Sequence, residues 1–207
     1  MAEPFPGDVT APGVMAAAVE ASMNRFGRLD VLVNNAGAGF FGSIEETTEQ
    51  DLEAMLAINF KSTFYGIKAA LTVMRQQKAG HIINVASTAG RRGSPYVGAY
   101  CASKFAVVGL SESLRVELLG SGIHVSLICP GATKTEFFAV ARRRTCQHQG
   151  LAGPVESSER VAERIVTVVK HPRAEVLAQP VRRKAFLILN LLAPAVVDRL
   201  LARLIDG

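Results

Sequence analysis

The sequence predicts an α/β fold with a doubly wound parallel sheet, and three observations lead to this prediction. Short apolar runs alternate with longer stretches whose apolar residues recur at helical spacing. The apolar runs are continuous, which is typical of strands that are covered on both faces. Polar and glycine-rich segments follow three of the runs, at Asn34–Gly37, Ser87–Gly90 and Pro130–Thr135. Ligands bind beyond the carboxyl ends of the strands in such sheets, so we expect the site there.

The elements follow from these patterns in chain order. Helices are predicted over Pro12–Phe26, Thr48–Gln77, Ala99–Leu119 and Ser157–Val169. Strands are predicted over Leu29–Val33, His81–Val85, His124–Cys129 and Ala174–Ala178. Thr48 followed by Asp51 resembles a capping box at the start of the long second helix. The apolar stretch Lys184–Leu204 is predicted to be helical with a break at Pro194.

The composition excludes several classes of protein. The chain has 207 residues, of which 49% are hydrophobic, and this suits one folded domain and not a disordered chain. We place that domain at residues 1–180, followed by an apolar helical tail at 181–207. The three cysteines form no CxxC pair, and the four histidines have no zinc-ligand spacing, so no metal site is predicted. No secretory signal is visible at the start, so we expect a cytoplasmic protein.

The net charge of +5 includes two basic runs, Arg142–Arg144 and Arg182–Lys184. Neither run has aromatic neighbours suited to base stacking, so we interpret both as solvated surface and expect no nucleic-acid partner. The tail is shorter than the roughly 20 uninterrupted apolar residues of a membrane span. We expect it to pack on the body or on a second subunit. Peripheral contact with an anionic membrane is the alternative, because the second basic run directly precedes it.

Four polar residues are candidates for chemistry. Tyr100 and Lys104 are four residues apart on a predicted helix and so share one face. A phenol has a pKa near 10, and a neighbouring ammonium group would lower that pKa and make the pair a proton-transfer unit. Ser87 follows a strand end, where its hydroxyl could bind a substrate oxygen. Asn59 lies inside the long helix despite its poor helix propensity, and its amide could hold a water.

These residues and their surroundings resemble the short-chain dehydrogenase/reductase family, which comprises nicotinamide-dependent oxidoreductases with a Rossmann-like fold. The resemblance extends over roughly residues 7–178, and the motifs occur in the order and at the spacing usual for the family. The matching segments are Asp8–Thr10 (D-V-T), Asn34–Gly37 (N-N-A-G), Asn59, Ile82–Gly90 (I-I-N-V-A-S-T-A-G), Tyr100–Lys104 (Y-C-A-S-K) and Pro130–Thr135 (P-G-A-T-K-T).

The resemblance implies NAD(P)-dependent interconversion of an alcohol and a carbonyl compound by hydride transfer. Tyr100 would be the general acid/base, and Lys104 would lower its pKa and bind the nicotinamide ribose. Ser87 would hold the substrate oxygen. Asn59 would hold a water that connects Lys104 to solvent. The family also forms dimers or tetramers through the helices that carry Asn59 and Tyr100, which implies a homo-oligomer.

The resemblance also implies a set of cofactor contacts. Asp8 would contact the adenine, with Val9 beside it through its backbone, and Thr135 would bond the nicotinamide carboxamide. The other residues expected to line the cofactor cleft are Asn34, Asn35, Ala36, Gly37, Pro130, Gly131 and Thr133. The choice between NAD and NADP stays open, because the segment that decides it in the family has no counterpart in this sequence.

The sequence departs from the family at its start. The family's glycine-rich loop, which approaches the cofactor pyrophosphate, is missing, as are two strand–helix units. We therefore expect a sheet that is truncated at its N-terminal side. The interpretation we favour is a part of an ordinary enzyme, or one with a wrongly assigned start. The alternatives are a catalytically inactive binding or interaction protein and a partner chain that supplies the missing strands.

The segment Glu136–Gly153 lies where the family places its substrate-covering loop. Phe137 and Phe138 could form an apolar wall for a hydrophobic alcohol or ketone. It is equally open that they pack on the sheet. Of the three cysteines, we expect Cys101 and Cys129 to be inert packing residues, and nothing marks Cys146 as a nucleophile.

Overall fold

A computed structural model of the chain describes residues 2–144, 155–178 and 180–206. Its strands are β1 (Val31–Asn34), β2 (Phe40–Phe41), β3 (Gly80–Val85), β4 (Ile123–Cys129), β5 (Thr133–Lys134), β6 (Arg142–Arg143), β7 (Glu156–Ser157) and β8 (Glu175–Leu177). Its helices are α1 (Val14–Phe26), α2 (Glu49–Leu56), α3 (Ser62–Gln77), α4 (Gly98–Glu117), α5 (Phe137–Val140), α6 (Ser158–Lys170), α7 (Pro180–Leu192) and α8 (Pro194–Asp206).

The central sheet has four parallel strands in the order β1-β3-β4-β8, and helices cover both of its faces. On one face Ile82 packs with residues of α3 and α4, among them Met74 and Leu114. On the other face Ile83 packs with Val168 of α6. Neighbouring residues of β3 therefore face opposite layers, as the two-residue period of a strand requires. The doubly wound parallel sheet predicted from the sequence is confirmed.

The predicted elements are found, with differences at their ends. The first strand lies at Val31–Asn34, two residues later at its start than predicted. The capping box of Thr48 and Asp51 is present, with both reciprocal hydrogen bonds. The break at Pro194 separates α7 from α8. The short pairs β2–β6 and β5–β7 were not predicted, because two residues are too few to leave a periodic pattern.

The helical stretch predicted over Thr48–Gln77 is found, but its middle is not α-helical. A π-helical turn at Ala57–Lys61 separates α2 from α3, and Asn59 lies at its centre. Such turns are rare and occur mostly as single insertions at functional sites. The sequence did not predict this turn, because the hydrophobic pattern of α2 and α3 does not reveal one inserted residue between them.

A chain of buried amide and hydroxyl groups fixes the sheet beneath the site. Asn34 donates to the Asn84 side-chain oxygen over 2.8 Å, and Asn84 donates to the Ser111 hydroxyl over 2.9 Å. A Cβ at Gly66 of α3 would lie 2.4 Å from the Asn34 side-chain oxygen, so glycine lets the helix approach β1 closely. The carboxyl ends of β1 and β3 are thereby held in register with α3 and α4.

The tail forms a helical hairpin, α7 and α8, that packs on the body with one side only. Val197 and Leu201 of α8 are buried, and Phe186 and Leu187 of α7 are half-buried. The Arg92 guanidinium donates to the Asp198 carboxylate and ties α8 to the loop that follows β3. Of the two places expected for the tail, the body or a second subunit, the body accounts for the burial of these residues.

Candidate active site

A cavity of about 750 Å³ lies at the carboxyl ends of β1, β3 and β4, where the sequence predicted the site. Many of the predicted residues line it: Asn35, Gly37, Ser87, Tyr100, Lys104, Pro130, Gly131, Thr133 and Thr135. Asp8, Val9, Asn34, Ala36 and Asn59 do not line it. The structure thus brings together most of the residues expected around a nicotinamide. Asn34 and Asn59 are buried in the protein instead, and the expected places of Asp8, Val9 and Ala36 at the cleft are not found.

Tyr100 and Ser87 come together across the cavity from different elements. Tyr100 lies in the first turn of α4, and Ser87 follows β3, where its hydroxyl accepts a hydrogen bond from the Ala89 amide over 3.1 Å. The Ser87 side chain lies near enough to the Tyr100 phenol to favour its ionised form. Burial raises the pKa of Tyr100 to about 12, and the nearby Ser87 offsets part of this rise. A substrate oxygen placed between the two groups would contact both.

Lys104 is 4% exposed and reaches the cavity from one turn further along α4. Its Nζ donates to the Val85 carbonyl over 3.0 Å and lies 6.0 Å from the centre of the Tyr100 ring. Burial lowers the pKa of Lys104 to about 8, because the charged amine is poorly solvated. The expected lowering of the Tyr100 pKa by Lys104 is not found in this structure, where burial of the phenol dominates.

Asn59 is fully buried, and its amide is bound by protein groups. Its Oδ1 accepts from the Ala38 amide over 2.9 Å, and its Nδ2 donates to the Ala38 carbonyl and to the Ser103 hydroxyl, each over 3.0 Å. Ser103 in turn donates to the Tyr100 carbonyl. Asn59 therefore connects the turn after β1 to the helix that carries Tyr100 and Lys104. The water relay through Asn59 stays a prediction.

The turn after β1 leaves space beside these groups. A Cβ at Gly37 would lie 2.7 Å from the Asn59 Oδ1 and 3.4 Å from the Lys104 Nζ, so only glycine fits without displacing them. Gly37 and Lys104 both line the cavity, so a ribose hydroxyl placed beside Gly37 would be within reach of the Lys104 amine. On this observation the residues present fit the nicotinamide half of a dinucleotide.

The loop after β4 forms the opposite wall. Gly131 donates its amide to the Glu156 carboxylate over 3.1 Å, and the Thr133 hydroxyl donates to the Gly131 carbonyl. The Thr135 hydroxyl accepts from the Phe137 amide over 3.2 Å. The three polar groups are thus held at fixed positions along the cavity. Asp8, by contrast, is exposed, and its carboxylate accepts from both the amide and the hydroxyl of Thr10.

Aromatic side chains make one wall of the cavity apolar. The Phe137 ring packs edge-on against the Tyr100 ring with 5.6 Å between centres. Phe138 also lines the cavity, 6.2 Å from the ring of Phe41. A Cβ at Gly39 would lie 2.8 Å from the Phe137 ring, so this glycine lets the ring reach its place. Of the two alternatives for Phe137 and Phe138, the structure favours the cavity wall.

Several lining residues were missed by the sequence reasoning. They come from the loop after β3, from α6 and from the tail hairpin: Arg92, Val97, Val161, Ile165, Arg182, Phe186 and Leu201. Val161 and Ile165 are four residues apart in α6 and share one face of it. The Arg–Arg pair after Ser87 could have been used to predict a residue of the cavity lining, because it follows a strand end. No local pattern identifies Phe186 or Leu201, since only tertiary packing brings the tail to the cavity.

The first basic run is exposed, as predicted, but it also has specific contacts. Arg144 donates two hydrogen bonds to the buried Asp51 carboxylate, over 2.9 and 2.5 Å. The Arg143 guanidinium lies 4.4 Å from the centre of the Phe41 ring. These contacts attach the segment after α5 to the rim of the cavity. The remainder of the predicted covering segment, residues 145–153 with Cys146, lies outside the described residues.

The two remaining cysteines are buried, in agreement with a packing role. Cys129 ends β4, and burial raises the pKa of its thiol to about 12, so it carries no thiolate at neutral pH. Burial likewise raises the pKa of the Cys101 thiol, one residue after Tyr100.

Comparison with known proteins gives a consistent result. A family model described as short chain dehydrogenase matches residues 1–145. An uncharacterized oxidoreductase of Staphylococcus saprophyticus is 44% identical over 131 residues, which are 62% of this chain and 53% of that protein. The chain spans about half the length of the curated relatives it matches.

Solved structures with a bound cofactor resemble the chain as well. A xylitol dehydrogenase with NAD+ bound has a TM-score of 0.61 and 34% identity, covering 63% of this chain and 51% of its own. The protein ElxO with NADP bound has a TM-score of 0.72 and 28% identity, covering 84% of this chain and 74% of its own. With the motifs, the parallel sheet and the matched family model together, the chain belongs to the short chain dehydrogenase family.

Proposed function

We propose that this chain carries the reaction centre of an NAD(P)-dependent oxidoreductase that interconverts an alcohol and a carbonyl compound. The observation that supports this most is the meeting of Tyr100, Ser87 and Lys104 at one cavity, although they come from separate parts of the sequence. Proteins similar to the chain have been solved with NAD+ and with NADP, so both are candidate cofactors.

Ser87 and Tyr100 would hold the substrate oxygen. In reduction, Tyr100 would donate its proton to the oxygen of the carbonyl compound as that oxygen becomes an alkoxide. In oxidation, the phenolate would take the proton from the alcohol. The cofactor, when bound, supplies or accepts the hydride, and the protein supplies the placement of the two reactants.

Lys104 would act on the cofactor ribose and on the charge of the phenol. Its ammonium group lies on the same helical face as Tyr100 and would stabilise the phenolate electrostatically. Because its pKa is about 8, the ammonium form dominates at neutral pH and declines above it. Gly37, Asn35 and the loop from Pro130 to Thr135 would hold the nicotinamide end.

The substrate would carry an apolar group next to the reacting carbon. Phe41, Phe137 and Phe138 provide an aromatic wall on one side of Tyr100, and Val161 and Ile165 add aliphatic surface. Burial of such a group would hold a weakly polar alcohol or ketone in place at low entropy cost. We therefore expect preference for hydrophobic over highly hydroxylated substrates.

We also propose that the chain forms a homo-oligomer through α3 and α4. Phe64 of α3 and Phe105 of α4 are exposed large apolar side chains, as is Val116 near the end of α4. Exposed apolar patches of this kind mark interfaces. The expected result in analytical ultracentrifugation is a dimer or tetramer that Phe105→Asp converts to monomer.

Two measurements test the function. Titration of the chain with NADH and NADPH, followed by nicotinamide fluorescence, should show saturable binding of at least one. Turnover with a panel of hydrophobic alcohols should then fall by about 100-fold or more in Tyr100→Phe, because general acid/base groups contribute on this order. Tyr65→Phe on α3 is the matched control and should retain turnover.

Binding of neither nucleotide would contradict the proposal and favour the alternative, an inactive interaction protein. Nucleotide binding with full turnover in Tyr100→Phe would mean that another group transfers the proton.

A further inference from the structure

We infer that the hairpin of α7 and α8 is a docking surface for anionic lipid bilayers. The outer side of the hairpin, called the lipid face below, carries exposed apolar residues that the body does not cover. They are Ile188, Leu189, Leu191, Leu192, Val196 and Leu200. This inference goes beyond the proposed reaction and does not depend on it.

The lipid face follows from the helical spacing. In α7, Ala185, Ile188, Leu189 and Leu192 recur at intervals of three and four residues, so they form one stripe. In α8, Val196 and Leu200 form a second stripe, whereas Val197 and Leu201 face the body and are buried. The two helices therefore direct apolar stripes away from the protein.

Cations lie on the same stripes as the exposed apolar residues. Arg199 and Arg203 occupy the positions three residues beyond Val196 and Leu200. Neither Lys184 nor any of these arginines forms an ion pair with another residue in the described part of the chain. Residues 180–207 hold five basic and two acidic side chains. Apolar stripes bordered by free cations are typical of helices that lie in the interface of an anionic bilayer.

The geometry favours lying on the bilayer over crossing it. Among the described residues no single helix is long and apolar enough to span a membrane. The segments Lys184–Leu192 and Pro194–Arg203 reach the required composition only when they are counted together, and they are bent by 118°. Two short helices at such an angle can both place their stripes at shallow depth in one interface.

The charges also decide against a second copy as the occupant. A twofold contact brings the same patch of both subunits together. Such a contact would bring Arg199 and Arg203 of both copies, four cations in all, into one interface, and like charges at an interface repel. A surface of anionic headgroups has the complementary charge.

The lipid face lies directly behind residues that line the cavity. Arg182 and Phe186 of α7 and Leu201 of α8 line the cavity from the hairpin. Docking would thus bring the cavity within one helix thickness of the bilayer. If the proposed function holds, an apolar alcohol or ketone dissolved in the membrane would reach Tyr100 by a short path.

Vesicle co-sedimentation of the full chain tests the inference without any catalytic readout. The chain should pellet with phosphatidylcholine vesicles that contain phosphatidylglycerol, and much less with phosphatidylcholine alone. Leu191, at the tip of the hairpin, is 80% exposed, so Leu191→Asp should weaken binding by about tenfold or more without disturbing the fold. The control Leu119→Asp, at a site 76% exposed after α4, should bind as the parent does.

A double variant, Arg199→Gln with Arg203→Gln, tests the electrostatic part. It should lose about tenfold or more of its affinity for the anionic vesicles and little of its weak affinity for neutral ones. Absence of pelleting, or pelleting that neither variant reduces, would overturn the inference. A dimer that Leu191→Asp dissociates, together with no vesicle binding, would overturn it in favour of a subunit interface.

Discussion

The reacting edge around Tyr100 and the tail hairpin line the same cavity, but they are held in different ways. At the reacting edge, Asn59, Ser103 and Lys104 are at most 4% exposed, and each donates a hydrogen bond to a backbone carbonyl. The hairpin contacts the body through a few apolar residues and the pair of Arg92 and Asp198. Its outer side is exposed. Directional hydrogen bonds therefore fix the reacting edge, whereas the hairpin is held by burial of apolar residues on one side.

This difference corresponds to what each region must do. Proton transfer needs donor and acceptor at hydrogen-bond distance, so the groups that perform it need neighbours that do not move. A wall that only excludes water and contacts an apolar substrate tolerates small displacements. Regions with few buried contacts also open locally at lower free energy than the core. We expect the hairpin to open more readily than the edge.

The largest effect, a loss of turnover, is expected for Lys104→Met. The substitution keeps most of the side-chain volume and removes the charge, so turnover should fall by about 100-fold or more. Stability at neutral pH should not fall correspondingly, because the buried ammonium is poorly solvated, as its lowered pKa shows. Turnover and urea unfolding of the same preparations separate the two effects.

The pH dependence of the unfolding free energy provides the control. The folded-state pKa of Lys104, about 8, lies below the ordinary value near 10.4. Between these pH values the unfolded chain binds more protons than the folded one, so the parent gains stability relative to Lys104→Met as pH rises. A parent that loses stability relative to the variant in this window would show that Lys104 is not buried as an unfavourable cation.

A smaller but global effect is expected for Gly37→Ala at the reacting edge. The new Cβ would lie 2.7 Å from the Asn59 Oδ1, which already accepts a hydrogen bond from the Ala38 amide. Displacing the Ala38 amide from this hydrogen bond should lower the unfolding free energy by about 2 kcal/mol and lower turnover as well. Thermal unfolding and initial rates measure both.

Gly109→Ala on α4 is the matched control for this substitution. A Cβ there meets no atom within 4 Å, so the change should be neutral or stabilise the helix by about 0.5–1 kcal/mol. Equal destabilisation at both glycines would mean that crowding against Asn59 is not the cause.

The sequence predicted the reacting edge around Tyr100 far better than the position of the hairpin on the body. Tyr100 and Lys104 are related by one helical turn, and Ser87 follows a strand end, and the resemblance to the family joined the three into one expected site. The π-helical turn at Asn59 was missed because one inserted residue barely changes the pattern. The direction of the Tyr100 pKa shift was missed because burial depends on packing.

The hairpin was predicted as two helices, but its contacts were not. Whether Phe186 and Leu201 face the cavity or solvent depends on which side of an apolar helix the body covers, and apolar residues occur on several sides of α7. Long-range packing decides this, with Arg92 and Asp198 separated by 106 residues in the chain. The family motifs lie outside residues 181–207, so they gave no guide there.

The smallest global effect is expected for Val197→Ala beneath the hairpin. Val197 is fully buried, so loss of its two methyl groups should weaken the packing of α8 by about 1 kcal/mol. Because the hairpin opens locally, the midpoint of global unfolding should change little, while amide exchange in α7 and α8 becomes several times faster. Hydrogen exchange read by mass spectrometry would resolve this, with α4 as the internal reference. Equal acceleration in α4 would show that the hairpin and the reacting edge unfold as one unit, and the two regions would then differ in their bonds but not in their stability.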